Sequence, residues 1–163
     1  NFIYEKDMKL KYAQNNQLKN IQSSFKISLN KLTINNKVIL IYPIPEVDTH
    51  VPRKLLNLLP KKINDAKNYL EKHLVLKNYI TTSYQSYKDR SKSSFKLFDS
   101  IDGGNIYRVY PHLLYCDTLI KERCITHDTK NIFYADENHP SVKGSELIND
   151  LIIKEINKIN LSE

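Results

Sequence analysis

The stretch KVILIYPIPE, Lys37 to Glu46, decides how the rest of the chain is read. Val38 to Tyr42 are apolar or aromatic without alternation, and three of the five are β-branched. A strand with one wet face alternates polar and apolar residues, whereas a strand covered on both faces does not. Val38–Tyr42 therefore reads as a central strand of a parallel sheet. Pro43 and Pro45 end it, because proline has no N–H to give to a sheet ladder.

Upstream, Leu18, Ile21, Phe25, Leu29 and Leu32 recur at steps of three and four, which predicts an amphipathic helix over about residues 5–33. Downstream, VPRKLLNLLP is a short helix closed by Pro60. From Ile63 to about Phe98 the pattern is polar with spaced apolar residues: Tyr69, Leu70, Leu74, Leu76, Tyr79, Ile80, Tyr84 and Tyr87. That spacing predicts two helices with a break near Val75–Asn78. DGGN, Asp102 to Asn105, is a turn. Ile106–Tyr110 is a second strand ended by Pro111, and Asn131–Ala135 is a third. A last helix is expected over Ser141–Ile159, with Leu147, Ile148, Leu151, Ile152, Ile156 and Ile159 on its inner face.

Strands alternating with helices predict an α/β fold, a three-layer α/β/α sandwich with right-handed crossovers, in a single domain over 1–163. All three strands should be parallel. Sites in such sheets form beyond the carboxyl ends of the strands. That rule gathers PIPE, PHLLYC and DENHPS, and so Pro45, His112 and His139, on one edge.

The third of those loops carries the candidate chemistry. Asp136 stands three residues before His139, and a tight loop of that length lets a carboxylate reach Nδ1 of the imidazole. A carboxylate there fixes the tautomer and steadies the cation that forms when the ring takes a proton from a nucleophile. The competing reading is a polar turn in which Asp136 or Asn138 accepts backbone hydrogen bonds, Ser141 caps the helix and His139 is a surface residue. The pair follows a buried strand and precedes a terminal helix, a position that leaves both readings open.

Composition narrows the rest. With 40% hydrophobic and 26% charged residues in 163, the chain can build one real core. No apolar run approaches the roughly 20 residues of a membrane span. The net charge of +7 is spread over lysines that never run beyond the pair Lys61–Lys62, and no nucleic-acid motif accompanies it, so no nucleic-acid partner is expected. Cys116 and Cys124 fit no CxxC spacing, and no metal or cofactor is expected. They are either two buried thiols or a small disulfide loop. The polar flanks favour the disulfide, with Cα atoms about 4.4–6.8 Å apart and an oxidising compartment around it. The eleven tyrosines are core and interface residues first, and sugar-stacking surfaces second.

YADENHPSVKG (134–144), followed by an amphipathic helix, resembles the last catalytic block of the SGNH, or GDSL-like, hydrolases. The wider set, VILIYPIPEVDTHVPR (38–53), IYRVYPHLLYCDTLIKERC (106–124) and NIFYADENHPSVKG (131–144), resembles the C-terminal SGNH domain of acyltransferase-3 membrane proteins that O-acetylate surface polysaccharides such as lipopolysaccharide. The resemblance covers roughly residues 34–158. It implies a flavodoxin-like fold, His139 as general base, Asp136 as its orienting carboxylate, and a Cys116–Cys124 disulfide. It further implies an acyl donor and a polysaccharide acceptor, an N-terminal acyltransferase-3 membrane domain in the same chain, and a place on the periplasmic face of the bacterial inner membrane. One block of the family is missing: no Gly-Asp-Ser follows the first strand. Gly103 and Gly104 precede a strand, Gly144 opens a helix, Ser23 and Ser24 lie within a helix, and Ser141 is too close to His139 for its Nε2 to serve. The expectation is therefore the C-terminal portion of an SGNH domain, incomplete at its N-terminus, with its serine upstream of Asn1. A degenerate domain, or a non-catalytic module that binds carbohydrate or envelope polymer, is the alternative.

Overall fold

The computed structural model describes residues 2–73 and 80–161. Within them the order is α1 (Phe2–Thr33), β1 (Val38–Ile41), α2 (Val51–Leu58), α3 (Ile63–His73), β2 (Thr81–Ser83), α4 (Tyr84–Asp99), β3 (Ile106–Val109), β4 (Arg123–Ile125) and α5 (Val142–Leu161). A 3₁₀ turn, Pro111–Leu114, follows β3. The class is α/β, as expected. Leu74, Leu76, Tyr79 and the expected break at Val75–Asn78 lie outside the described residues, as do the side chains of Leu18 and Leu70.

β1 and β3 pair in parallel, Val38 against Ile106 through Ile41 against Val109. This register puts Val38, Leu40 and Tyr42 on the same face as Ile106 and Tyr110. α1 and α4 cover that face: Leu29, Leu40, Tyr42, Ile101 and Ile106 are buried there, with Phe25, Phe95 and Phe98 packed around them. Tyr42 is the hub, its ring in contact with Phe95, Phe98 and Tyr110. Its hydroxyl donates to Asp99 Oδ1 at 2.6 Å, so the polar tip of a buried ring is satisfied. α5 packs along β3.

A second core lies beyond the carboxyl ends of these strands. Val47, Val51, Leu55, Ile80, Tyr115, Ile125, Phe133 and Tyr134 meet there, supplied by loops, α2, β4 and the segment before α5. Burying side chains of this kind is worth about 1.5–3 kcal/mol each, which lets mainly irregular backbone hold one shape.

Several expectations are corrected. Asn131–Ala135 is not a third parallel strand. Ile132 and Tyr134 form isolated antiparallel bridges to His127 and Pro140. The backbone groups of this segment are taken up locally: Phe133 N–H donates to Thr126 O, Ala135 N–H to His139 O and Ser141 N–H to Phe133 O. Too few backbone groups remain for a ladder against β3. The helical reading of 63–98 also hides β2, which pairs antiparallel with β4 inside the expected cysteine loop. On α1, Ile21 and Leu32 are 55% and 52% exposed. On α5, Ile159 is buried but Ile156 is 40% exposed.

Cys116 and Cys124 form the expected disulfide. Their Cα atoms are 3.8 Å apart, closer than the expected range. The cause is their setting. Asp117 N–H to Arg123 O and Ile125 N–H to Tyr115 O flank them, which makes Cys116–Cys124 a non-hydrogen-bonded antiparallel pair. Pairs of that type bring strands closest.

Candidate active site

The loop from Tyr134 to Ser141 is fixed at both ends before its reactive groups enter. Tyr134 is 1% exposed, and its hydroxyl donates to the Pro45 carbonyl at 2.7 Å. Burial pushes the pKa of that hydroxyl far above that of free tyrosine, so it stays a donor. At the other end Ser141 caps α5: its Oγ accepts from Gly144 N–H at 3.1 Å and donates to Ile132 O. Gly144 is required there, because a Cβ would run into the Phe133 carbonyl. The glycine lets α5 press directly on the segment that leads into the loop. Tyr115, its pKa pushed up to about 12 by burial, donates its hydroxyl proton to Gly144 O at 3.1 Å.

Two further bonds join this loop to the loop after β1. Val47 N–H donates to Glu137 O at 2.8 Å, and Val51 N–H, in the first turn of α2, donates to Asp136 O at 3.3 Å. The sequence-predicted meeting of the Pro45 loop with the Asp136–His139 loop is therefore found. His112, expected at the same edge, is not on it: it is 7% exposed and sits among the rings of Tyr84, Tyr87, Phe95 and Tyr110.

Asp136 divides its carboxylate between two tasks. Oδ1 accepts the backbone N–H of Asn138 at 2.9 Å and of His139 at 2.8 Å. Oδ2 lies 2.7 Å from His139 Nδ1. Those backbone donors, and then the imidazole, hold the Asp136 carboxyl down at about 2. It is thus an anion across the physiological range, able to accept Nδ1–H. The His139 side chain is 73% exposed and that of Asp136 31%. In the neutral ring, an Nδ1 proton directed at Oδ2 goes with a bare Nε2.

The turn and the contact coexist: Asp136 makes the polar turn, Ser141 caps the helix, and the spare carboxylate oxygen still lies beside His139 Nδ1. Among the described residues no serine hydroxyl is bonded to His139. Ser23 and Ser24 are exposed on α1, and Ser141 is taken up by its cap. Asn105 is tied to Thr33 O at the amino end of β3, the opposite end from the site, so GGN is a turn and not an oxyanion loop.

Sequence reasoning missed the tyrosines that fasten the site. Tyr134 holds Pro45 O, and Tyr87 donates to Pro43 O at 2.7 Å. The only local signal was an aromatic directly before Ala-Asp; its partner lies 89 residues away. Among the described residues no group of three His, Cys, Asp or Glu side chains could hold a metal ion, and no helix is long and apolar enough to cross a membrane.

The family model described as "SGNH domain (fused to AT3 domains)" matches residues 3–154. No curated protein and no solved structure matches the chain. With a match over nearly its whole length, the chain belongs to the SGNH domains fused to AT3, or acyltransferase-3, domains, a family of hydrolase and acyltransferase chemistry.

Proposed function

We propose that this chain is the C-terminal, His-Asp-bearing portion of an O-acyltransferase that acylates a cell-surface polysaccharide by a Ser-His-Asp mechanism. The observation that carries the reading is the 2.7 Å contact between Asp136 Oδ2 and His139 Nδ1 on an exposed, rigidly fastened loop. His139 Nε2 takes the proton of a serine Oγ as that oxygen attacks an acyl ester. The tetrahedral intermediate collapses, the ester C–O bond breaks, and the leaving oxygen recovers the proton from the imidazolium. His139 then deprotonates a sugar hydroxyl, which attacks the acyl-serine; the acyl–Oγ bond breaks, the serine oxygen recovers the proton from the imidazolium, and the acyl group leaves on the sugar. Asp136 holds the imidazole in the required tautomer and stabilises the cation in both halves.

The serine and the oxyanion donors are supplied from outside these residues, in a parent chain with an acyltransferase-3 membrane domain. The periplasmic face of the bacterial inner membrane suits the reading, because a structural disulfide persists in an oxidising compartment. A second reading, a degenerate or purely carbohydrate-binding domain, draws on the lack of a described serine beside His139.

An active-site fluorophosphonate probe tests the proposal. In the parent protein it should label one serine that lies outside this sequence, and the chain alone should hydrolyse p-nitrophenyl acetate no faster than free imidazole. Labelling of a serine within this chain would contradict the assignment. An unlabelled but intact parent would favour the second reading.

A further inference from the structure

Beside the fastened loops lies a cavity of about 260 Å³ lined by Tyr84, Tyr87, Lys88, Phe95 and His112. Ligand pockets run from roughly 300 to 1,000 Å³, so this one has room for a single ring and not for a chain of them. Three of its walls are aromatic. Tyr84 and Tyr87 stack with centroids 6.1 Å apart, and Phe95 stands edge-on to His112 at 5.4 Å. Such faces favour the C–H side of a sugar ring.

Two polar side chains border this cavity. His112 Nδ1 is buried and has no hydrogen-bond partner. Lys88 is exposed at the rim, its ammonium 3.9 Å from the centroid of Tyr84. Among the described residues it has no carboxylate partner. Tyr87, one of its walls, donates to Pro43 O in the loop after β1.

We propose that this cavity is a subsite for one sugar ring that carries a carboxylate, a hexuronate-type unit of the acceptor. The ring lies against Tyr84 and Tyr87, and its carboxylate meets Lys88. The assignment rests on the acyltransferase reading for the role of the sugar, but not for its binding.

Saturation-transfer difference NMR on the full-length protein tests it, with methyl β-glucuronide and neutral methyl β-glucoside as probes. The glucuronide should bind about tenfold more tightly, with its strongest saturation on ring C–H protons. Lys88→Gln should bring the two probes to equal affinity, and Tyr84→Ala should abolish binding of both. Equal binding of the two sugars by the unaltered protein, or a preference unchanged by Lys88→Gln, would overturn the proposal. So would the absence of glucuronide binding. His139→Ala serves as the separator. A variant that loses acyl transfer but still binds glucuronide supports both readings. Lost transfer with no glucuronide binding even in the unaltered protein removes only the subsite, and full transfer with binding intact removes only the catalytic role.

Discussion

His139 stands three residues after a carboxylate; His112 stands directly after a proline and three residues beyond β3. Both follow strand-forming runs, and a sheet-edge argument treats them alike. The molecule does not. Asp136 turns the chain outward and gives its second oxygen to His139, which stays exposed. Pro111 opens a 3₁₀ turn that drives His112 inward onto Tyr87 and Phe95. Burial, and then Lys88, lower its pKa, so it is held neutral. An anchored anion beside an open side leaves His139 at the surface; His112, with neither, becomes part of a core.

The sharpest way to break the contrast is to alter the exposed pair. In the full-length protein His139→Ala should remove nearly all acyl transfer. Asp136→Asn should lower it by a factor on the order of 10⁴, because an amide favours the wrong tautomer. Thermal unfolding of His139→Ala should stay within about 0.5 kcal/mol of the unaltered protein, as for other exposed positions. Transfer at full rate in His139→Ala would leave His139 a loop residue.

Next in size is the disulfide on the His112 side. It packs against Tyr87, and Cys116 N–H donates to His112 O. Reducing it should cost about 2–3 kcal/mol, the value for so short a loop. Hydrogen exchange should then open β2 and β4 before β1 and β3. Uniform opening of both strand pairs would contradict this division.

Smaller effects come from His112 itself. His112→Phe keeps the aromatic contacts and removes an unpaired buried nitrogen, so urea unfolding should show it neutral or stabilised by about 1–2 kcal/mol. Burial lowers the pKa of His127 as well as His112. The unfolded chain takes up these protons near pH 6.5, and the folded chain only at lower pH. Stability should therefore be full above about pH 6.5 and decline below it. Asp136 adds to the loss only below about pH 4, as its carboxylate is protonated on the way to about 2. His112→Phe should flatten the limb below pH 6.5 without touching the second. An unchanged upper limb would mean that His112 is not held neutral.

What the sequence made legible follows the same division. β1 was readable from its unbroken apolar run and β3 from the apolar residues on both sides of Arg108; burial on both faces did not follow, because Ile41 is 45% exposed. Asp136–His139 was readable because its contacts span three residues. Asn131–Ala135 has the composition of a strand, but its hydrogen bonds close on residues 126–127 and 139–141, which no periodicity reports. β2 and β4 are only three residues each, β2 polar and β4 with Cys124 and Ile125 buried. They depend on the cross-link and on Arg123, whose Nε and second guanidinium nitrogen donate to Thr81 Oγ1 and O at 2.8 and 3.0 Å. His112 was misplaced because burial among rings from α4 is a tertiary fact.

The most direct measurement is the tautomer of His139, read from its two ring nitrogens by ¹⁵N NMR with the ring neutral. The account predicts protonated Nδ1 and bare Nε2 in the unaltered protein, and the reverse in Asp136→Asn. A bare Nδ1 in the unaltered protein, or a tautomer unmoved by Asp136→Asn, would contradict the claim that Asp136 prepares His139 as a base.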